Sequence, residues 1–167
     1  ESYLKGVHAK AIAAGNDKAA VCSDCHGTHE ILPSNDPGSP IARTHIHETC
    51  GKCHEKEMAE FNRSIHGRAL EAGIKDAPTC IDCHGEHDIG PPKASESAMA
   101  AQTISRLTCP KCHEDETVMT KYGITMHRQA SYMDSYHGMY SVAGGKVVAS
   151  CASCHGAQGE GNGPVAA

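Results

Sequence analysis

The sequence predicts a mainly irregular fold with short α-helices, closed around an interior that side chains alone do not fill. Three observations lead there. Aromatic residues are scarce, with one Phe, no Trp and five Tyr in 167 residues, too few for an ordinary hydrophobic core. Loop formers are abundant, with 17 Gly and 8 Pro, so no helical stretch runs far without an interruption. The ten cysteines, finally, fall into one local pattern repeated five times.

The helical elements come in chain order. Lys5 to Ala14, Lys56 to Ala72 and Glu114 to Met139 have helical character, with Gly67, Gly73 and Gly123 as expected interruptions. Leu32 to Pro40 and Gly90 to Lys93 read as loops within the domain. Strand character is weak throughout, although Lys146 to Ala149 could pair briefly.

The cysteine pairs are Cys22/Cys25, Cys50/Cys53, Cys80/Cys83, Cys109/Cys112 and Cys151/Cys154. Each is followed at once by a histidine: His26, His54, His84, His113 and His155. A Cys-x-x-Cys-His run is the attachment site of a c-type haem. The thiols add across the porphyrin vinyl groups, and the histidine is placed to coordinate iron from one face. Five covalent haem c groups are therefore expected, and these large flat apolar rings would fill the interior. Zinc ribbons do not require the adjacent histidine. Iron–sulfur runs need a third cysteine at the same spacing, and a disulfide framework would not repeat one spacing five times.

Aligning the motifs exposes an internal repeat. His8, His66 and His137 each precede a motif cysteine by 14 residues: Cys22, Cys80 and Cys151. The second and third carry Ser64-Ile65-His66-Gly67 and Ser135-Tyr136-His137-Gly138; the first is looser, Gly6-Val7-His8-Ala9. Two of these sites continue as Cys-His-Gly-x-His, ending in His29 and His87. They are termed A sites. Between them lie B sites, Thr49 to Glu55 and Thr108 to Glu114, giving the order A, B, A, B, A. The expected organisation is one domain over 1–167: two duplicated two-haem units, about 8–60 and 66–115, and a fifth unit, about 127–167. The last interval is longer by about one short helix, since His113 to His137 spans 24 residues where His54 to His66 spans 12.

Five irons need five further ligands if all are six-coordinate. The repeat selects His8, His66 and His137 upstream and His29 and His87 downstream. His87 starts on the proximal side of its own haem, whose plane bars it from the far face, so it is expected to serve a neighbouring iron. The same holds for His29. His66 and His137 have chain enough to loop round a haem edge, to their own site or the one before. His45 and His47 are set aside because Ile104 and Arg106 fall at those places in the second B site. His127 lies in the insertion and is a reserve ligand for the fourth or fifth haem. No methionine recurs with the repeat, so the six are read as packing.

The formal net charge is −5, and no basic stripe exists to neutralise phosphates, so nucleic acid is not an expected partner. No apolar run reaches membrane-spanning length. The stretch opens without an initiator Met or a signal-peptide pattern, which reads as a mature or truncated chain. Haem attachment of this kind implies export, so the expected location is periplasmic or extracellular.

The five attachment motifs, the Ser-x-His-Gly segments and the Cys-His-Gly-x-His continuation resemble the multihaem c-type cytochromes of anaerobic respiration. That class includes cytochrome c3-like carriers, membrane-attached quinol oxidisers and polymeric extracellular cytochromes. The resemblance covers residues 8 to 155. It implies a multihaem cytochrome c fold whose core is stacked haems of low potential, in a sparse scaffold. It also implies electron transfer as a relay or wire, with redox proteins or other copies of the chain as partners. Two alternatives stand beside it: a reductase of a nitrogen or sulfur compound with one open haem, and the subunit of a conducting filament. Pentahaem nitrite reductases often mark the catalytic haem with Lys in place of the motif histidine, and all five motifs here carry His. The stretch after His155, Gly-Ala-Gln-Gly-Glu-Gly-Asn-Gly-Pro, resembles the haem-binding start of class I cytochromes c. Gln158 stands there in the place of His29 and His87.

Overall fold

A computed structural model describes residues 1–91, 94, 97–143 and 149–156. The chain folds as two compact units, Glu1–Pro91 and Pro92–Ala167. Three attachment motifs fall in the first and two in the second; the sequence repeat, by contrast, breaks after the second motif.

The first unit begins with a 3-10 turn, Tyr3–Lys5, and helix α1, Val7–Ala13. It continues through α2 (Cys22–His26), α3 (Ile46–Gly51), α4 (Glu55–Arg63), α5 (Ile65–Glu71) and α6 (Cys80–His84). The second unit holds a π turn, Ile104–Thr108, then α7 (Pro110–His113), α8 (Glu116–Lys121), α9 (Arg128–Met133), α10 (Tyr136–Val142) and α11 (Cys151–His155). No strand occurs among the described residues. The pairing expected for Lys146 to Ala149 lies outside them, apart from Ala149. So does the tail after Gly156, with its resemblance to class I cytochromes c.

Helix boundaries differ from the sequence reading for local reasons. The long stretch from Lys56 breaks at Ser64 rather than Gly67. Ser64 is extended (φ −69°, ψ 162°), and its hydroxyl accepts the Gly67 N–H at 3.0 Å, which caps α5. Gly67 sits within the first turn because a Cβ there would overlap the carbonyl of Phe61, near the end of α4. The α9–α10 corner repeats this device: Ser135 accepts the Gly138 N–H at 3.2 Å, and a Cβ on Gly138 would overlap the Tyr132 carbonyl. The Ser-x-His-Gly signature is thus a tight helix–helix corner. Before α1 there is only one 3-10 turn, so Ala9 is accommodated where the others need glycine. Instead the Val7 N–H bonds the Ile89 carbonyl at 2.9 Å, holding the start of α1 beside the segment after α6. The sequence insertion emerges as two helices, α8 and α9, where the first repeat has α4 alone.

Buried side chains are small. Among the described residues, Ala9, Ala42, Ala77, Ala100 and Ala149 line the interior with serines and threonines, and only Ile46, Leu70 and Met119 add bulk. Burial of so little apolar side-chain area, at about 25 cal/mol per Å², makes a thin core.

Candidate functional site

The three A motifs are built alike. Each is a five-residue helix, α2, α6 or α11, preceded by an extended residue: Val21, Thr79 or Ser150. The residue before the second cysteine reaches back to cap it. Asp24 accepts the Val21 N–H at 2.7 Å, Asp82 accepts the Thr79 N–H at 2.6 Å, and Ser153 accepts the Ser150 N–H at 3.0 Å. Positions i, i+3 and i+4 share one helix face, so both thiols and the imidazole of each motif point the same way. Each helix then ends at a glycine with positive φ, Gly27 (80°), Gly85 (82°) or Gly156 (77°), the left-handed conformation that turns the chain away.

The B motifs lack this cap and are approached through a preceding helix. Cys50 lies inside α3, and Cys109 follows the π turn directly. The sequence reading had no helix there. It also placed Ile104 opposite His45, and the structure places Thr103 there instead. His45 Nδ1 meets the Ser39 carbonyl at 3.2 Å, and the Thr103 hydroxyl bonds the Ser97 carbonyl. Counting back from the cysteines misses this because the second copy has one extra residue, absorbed as the π turn in which the Cys109 N–H bonds the Ile104 carbonyl.

None of the ten cysteines is joined in a disulfide. The second cysteine of each pair differs in setting from motif to motif. Cys25 and Cys83 are half-buried within α2 and α6, whereas Cys154, on α11, is exposed. In the B motifs, Cys53 falls in the turn between α3 and α4 and is exposed, its N–H bonding the Cys50 carbonyl at 3.2 Å. Cys112 lies within α7 and is half-buried, its N–H bonding the Cys109 carbonyl at 3.4 Å. Cys53 lacks a helix because α3 stops at Gly51, where a Cβ would meet the Met58 side chain. Cys112 sits on a four-residue helix opened by Pro110, and Cys154 on a helix capped by a serine where α2 and α6 use aspartate.

Neighbouring motifs meet at their first cysteines. The Cys50 and Cys80 thiols hydrogen-bond, which draws Cys50 down to about 7 and pushes Cys80 up. In the second unit Cys109 and Cys151 do the same, and Cys151 falls to about 6. Burial, then Cys50, raises Cys25, so the three motifs of the first unit adjoin in order. The imidazoles show the same adjacency. Burial and then nearby His54 lower His84; burial and then nearby His155 lower His113, with Glu114 opposing. Each B-to-A contact has its own tie. Arg43 bonds the Lys75 and Ala77 carbonyls at 3.0 and 2.8 Å and pairs with Asp82 at 2.9 Å. Ser105, in the π turn, accepts the Cys151 N–H at 2.8 Å. Tyrosines unseen in the sequence reading also hold the A motifs: Tyr3 donates to the Ala20 carbonyl at 2.6 Å and Tyr132 to the Ala149 carbonyl at 2.8 Å.

Two motif histidines face a histidine from elsewhere. His26 and His87 have ring centroids 6.0 Å apart and planes within 1° of parallel. His54 and His8 lie 6.2 Å apart at 45°. With metal–nitrogen bonds of about 2 Å and each ring centre roughly 1 Å further out, two imidazoles on one metal lie roughly 6 Å apart. His87 thus stands beside the first motif, and His8 beside the second rather than the first. Burial and then His54 lower the His8 imidazole, favouring the neutral form that metals bind. His66 lies in α5 and is partnered, His137 lies in α10 with its ring 5.9 Å from Tyr136, and His29 is exposed in the turn after α2.

His45 and His47, set aside from the sequence, share the wall of a cavity of about 560 Å³ with Glu48, Asn62, Leu70 and Glu71. His47 Nδ1 is buried in this wall region without a hydrogen bond. His127, the reserve ligand, begins α9 with a left-handed φ of 61° and meets Glu114 at 3.9 Å. Among the described residues, no three or more His, Cys, Asp or Glu side chains gather into a cage for a bare metal ion. Nor is any described helix long and apolar enough to cross a membrane. Against family models, curated proteins and solved structures alike, the chain finds no match.

Proposed function

We propose that the chain carries five covalent haem c groups and conducts electrons along them as an exported relay, with redox proteins or further copies of itself as partners. The observation that carries this reading is the pairing of His26 with His87. Two parallel imidazoles stand with ring centres 6.0 Å apart, about the spacing two ligands of one iron need, one from an attachment motif and the other from a segment 61 residues on.

Bound haem supplies the one-electron iron couple, and bis-histidine ligation keeps that iron low-spin. The chain's own residues do the rest. The capped A helices fix two thiols and an imidazole on one face. Arg43 and Ser105 hold the B and A motifs so that thioethers at Cys50 and Cys80, and at Cys109 and Cys151, would anchor neighbouring macrocycles side by side. The buried side chains are mostly small, so a bound apolar ring would supply the bulk they do not.

The test is covalent loading. After denaturation and acid extraction, five haems should remain with the polypeptide, and its mass should exceed the bare chain by five haems. Fewer than five, or zinc in their place, would overturn the proposal. Low-spin spectra throughout favour the relay, and a persistent high-spin fraction near one haem in five favours the reductase.

A further inference from the structure

The geometry points to Arg106 as a propionate-binding residue, its guanidinium pairing with the carboxylate of a haem held by the fourth or fifth motif. This inference rests on the haem reading above and adds to it a residue that touches the cofactor away from its iron.

Arg106 lies in the π turn, Ile104–Thr108, that leads into Cys109. Its Nε is buried and has no hydrogen-bond partner. An arginine is always charged and can only donate, so a buried N–H of this kind is costly until an acceptor meets it. The protein acceptors around it are engaged elsewhere. Gln129 bonds the Arg106 carbonyl through its side-chain amide at 3.2 Å, and its backbone N–H bonds the Glu114 carboxylate at 2.7 Å. The other Glu114 oxygen faces His127 Nδ1 at 3.9 Å. That carboxylate is thus turned to Gln129 and His127.

The place of Arg106 says which acceptor suits it. Ser105, the residue before, accepts the Cys151 N–H at 2.8 Å, and the Cys109 and Cys151 thiols meet. The guanidinium therefore stands where rings on the fourth and fifth motifs would adjoin, all within the second unit. Each ring brings propionate carboxylates, the two-oxygen acceptor that a guanidinium fork matches. A single π turn is also a frequent mark of a functional position. The other B motif offers a parallel. Among the described residues, the second side-chain nitrogen buried without a partner is His47 Nδ1, and His47 precedes Cys50 by three residues as Arg106 precedes Cys109. Each B motif thus has a basic side chain with an unmet nitrogen just ahead of its first thioether.

The experiment uses the holoprotein, first shown by mass to carry five covalent haems, so that a failure of the haem reading is seen separately. Arg106→Gln removes the charge. The propionate bending band in the resonance Raman spectrum should lose its hydrogen-bonded component at one haem. The midpoint potential of that haem should fall, because an unpaired carboxylate favours ferric iron. Arg106→Lys keeps the charge but not the fork, so the band should move while the potential stays near the parent value. Arg128→Gln, the same charge change at an exposed arginine of α9, should alter neither. Deleting the fourth haem with Cys109→Ala and Cys112→Ala, or the fifth with Cys151→Ala and Cys154→Ala, identifies the source: the band change of Arg106→Gln should vanish with one of them. An unchanged band and potential in Arg106→Gln would overturn the inference. So would an equal effect in Arg128→Gln, or a band change that survives both deletions. Should Arg106→Gln fail to load its haems, Arg106→Lys decides alone, and an unmoved band there overturns the inference.

Discussion

The A and B motifs share five residue positions and are assembled by different means. An A motif is closed at both ends by its own residues: Asp82 caps the start of α6 at 2.6 Å, and Gly85 turns the chain out at the end. A B motif has neither device. Thr49 and Thr108, the residues before the first cysteine, instead bond the Pro40 and Ala98 carbonyls, each at 2.6 Å. Its position is thus set by tertiary contacts, and the chain runs on through Glu55 or Glu114 toward the next helix. The same Cys-x-x-Cys-His sequence is thus held by two different scaffolds. The A motif is a local unit, and the B motif is placed by its surroundings.

That contrast can be broken in graded steps. Gly67→Ala or Gly138→Ala drives a methyl into a backbone carbonyl at the helix corner leading to an A motif. Thermal unfolding of the holoprotein should show the largest loss, about 1–3 kcal/mol. Asp82→Ala removes a cap and the partner of Arg43 together, so about 1–2 kcal/mol is expected. Burial works against the Asp82 carboxylate, but the Thr79 N–H, Arg43 and the Thr79 hydroxyl outweigh it and hold its pKa below the usual value. A depressed pKa contributes stability above the unfolded-state value, and this is lost as pH falls through the folded-state value. Asp82→Asn should therefore flatten the acid limb of a stability profile between those two values. Ala9→Gly, at the matching position without a corner, should cost about 0.5–1 kcal/mol. Lys52→Ala, at the matching position of a B motif, should stay within about 0.5 kcal/mol. An equal loss at Lys52 and Asp82 would erase the distinction between the two kinds of site.

Much of the candidate site was legible because the Cys-x-x-Cys-His motif keeps a fixed spacing in all five copies. The five motifs, the A/B alternation and the upstream and downstream histidines all come from counting residues. Counting fails where the repeat slips, as between His47 and Arg106, since an extra residue stored in a π turn leaves no composition signal. The break at Ser64 rather than Gly67 was missed for a related reason. The glycine there serves the close approach of Phe61, a tertiary demand that resembles a helix breaker in one dimension. The ties made by Tyr3 and Tyr132 join positions 17 residues apart. A recurring Tyr five residues before His8 and His137 was the available signal, hidden by Phe61 in the middle copy.

The central claim is that ligands cross between motifs, and the oxidised electron paramagnetic resonance spectrum of His87→Ala tests it most directly. One haem should turn high-spin. Combining His87→Ala with Cys22→Ala and Cys25→Ala deletes the haem beside His26, and the account predicts that the high-spin signal vanishes with it. A high-spin signal that survives that deletion, and is lost instead when Cys80 and Cys83 are replaced, would place His87 on its own haem and contradict the account.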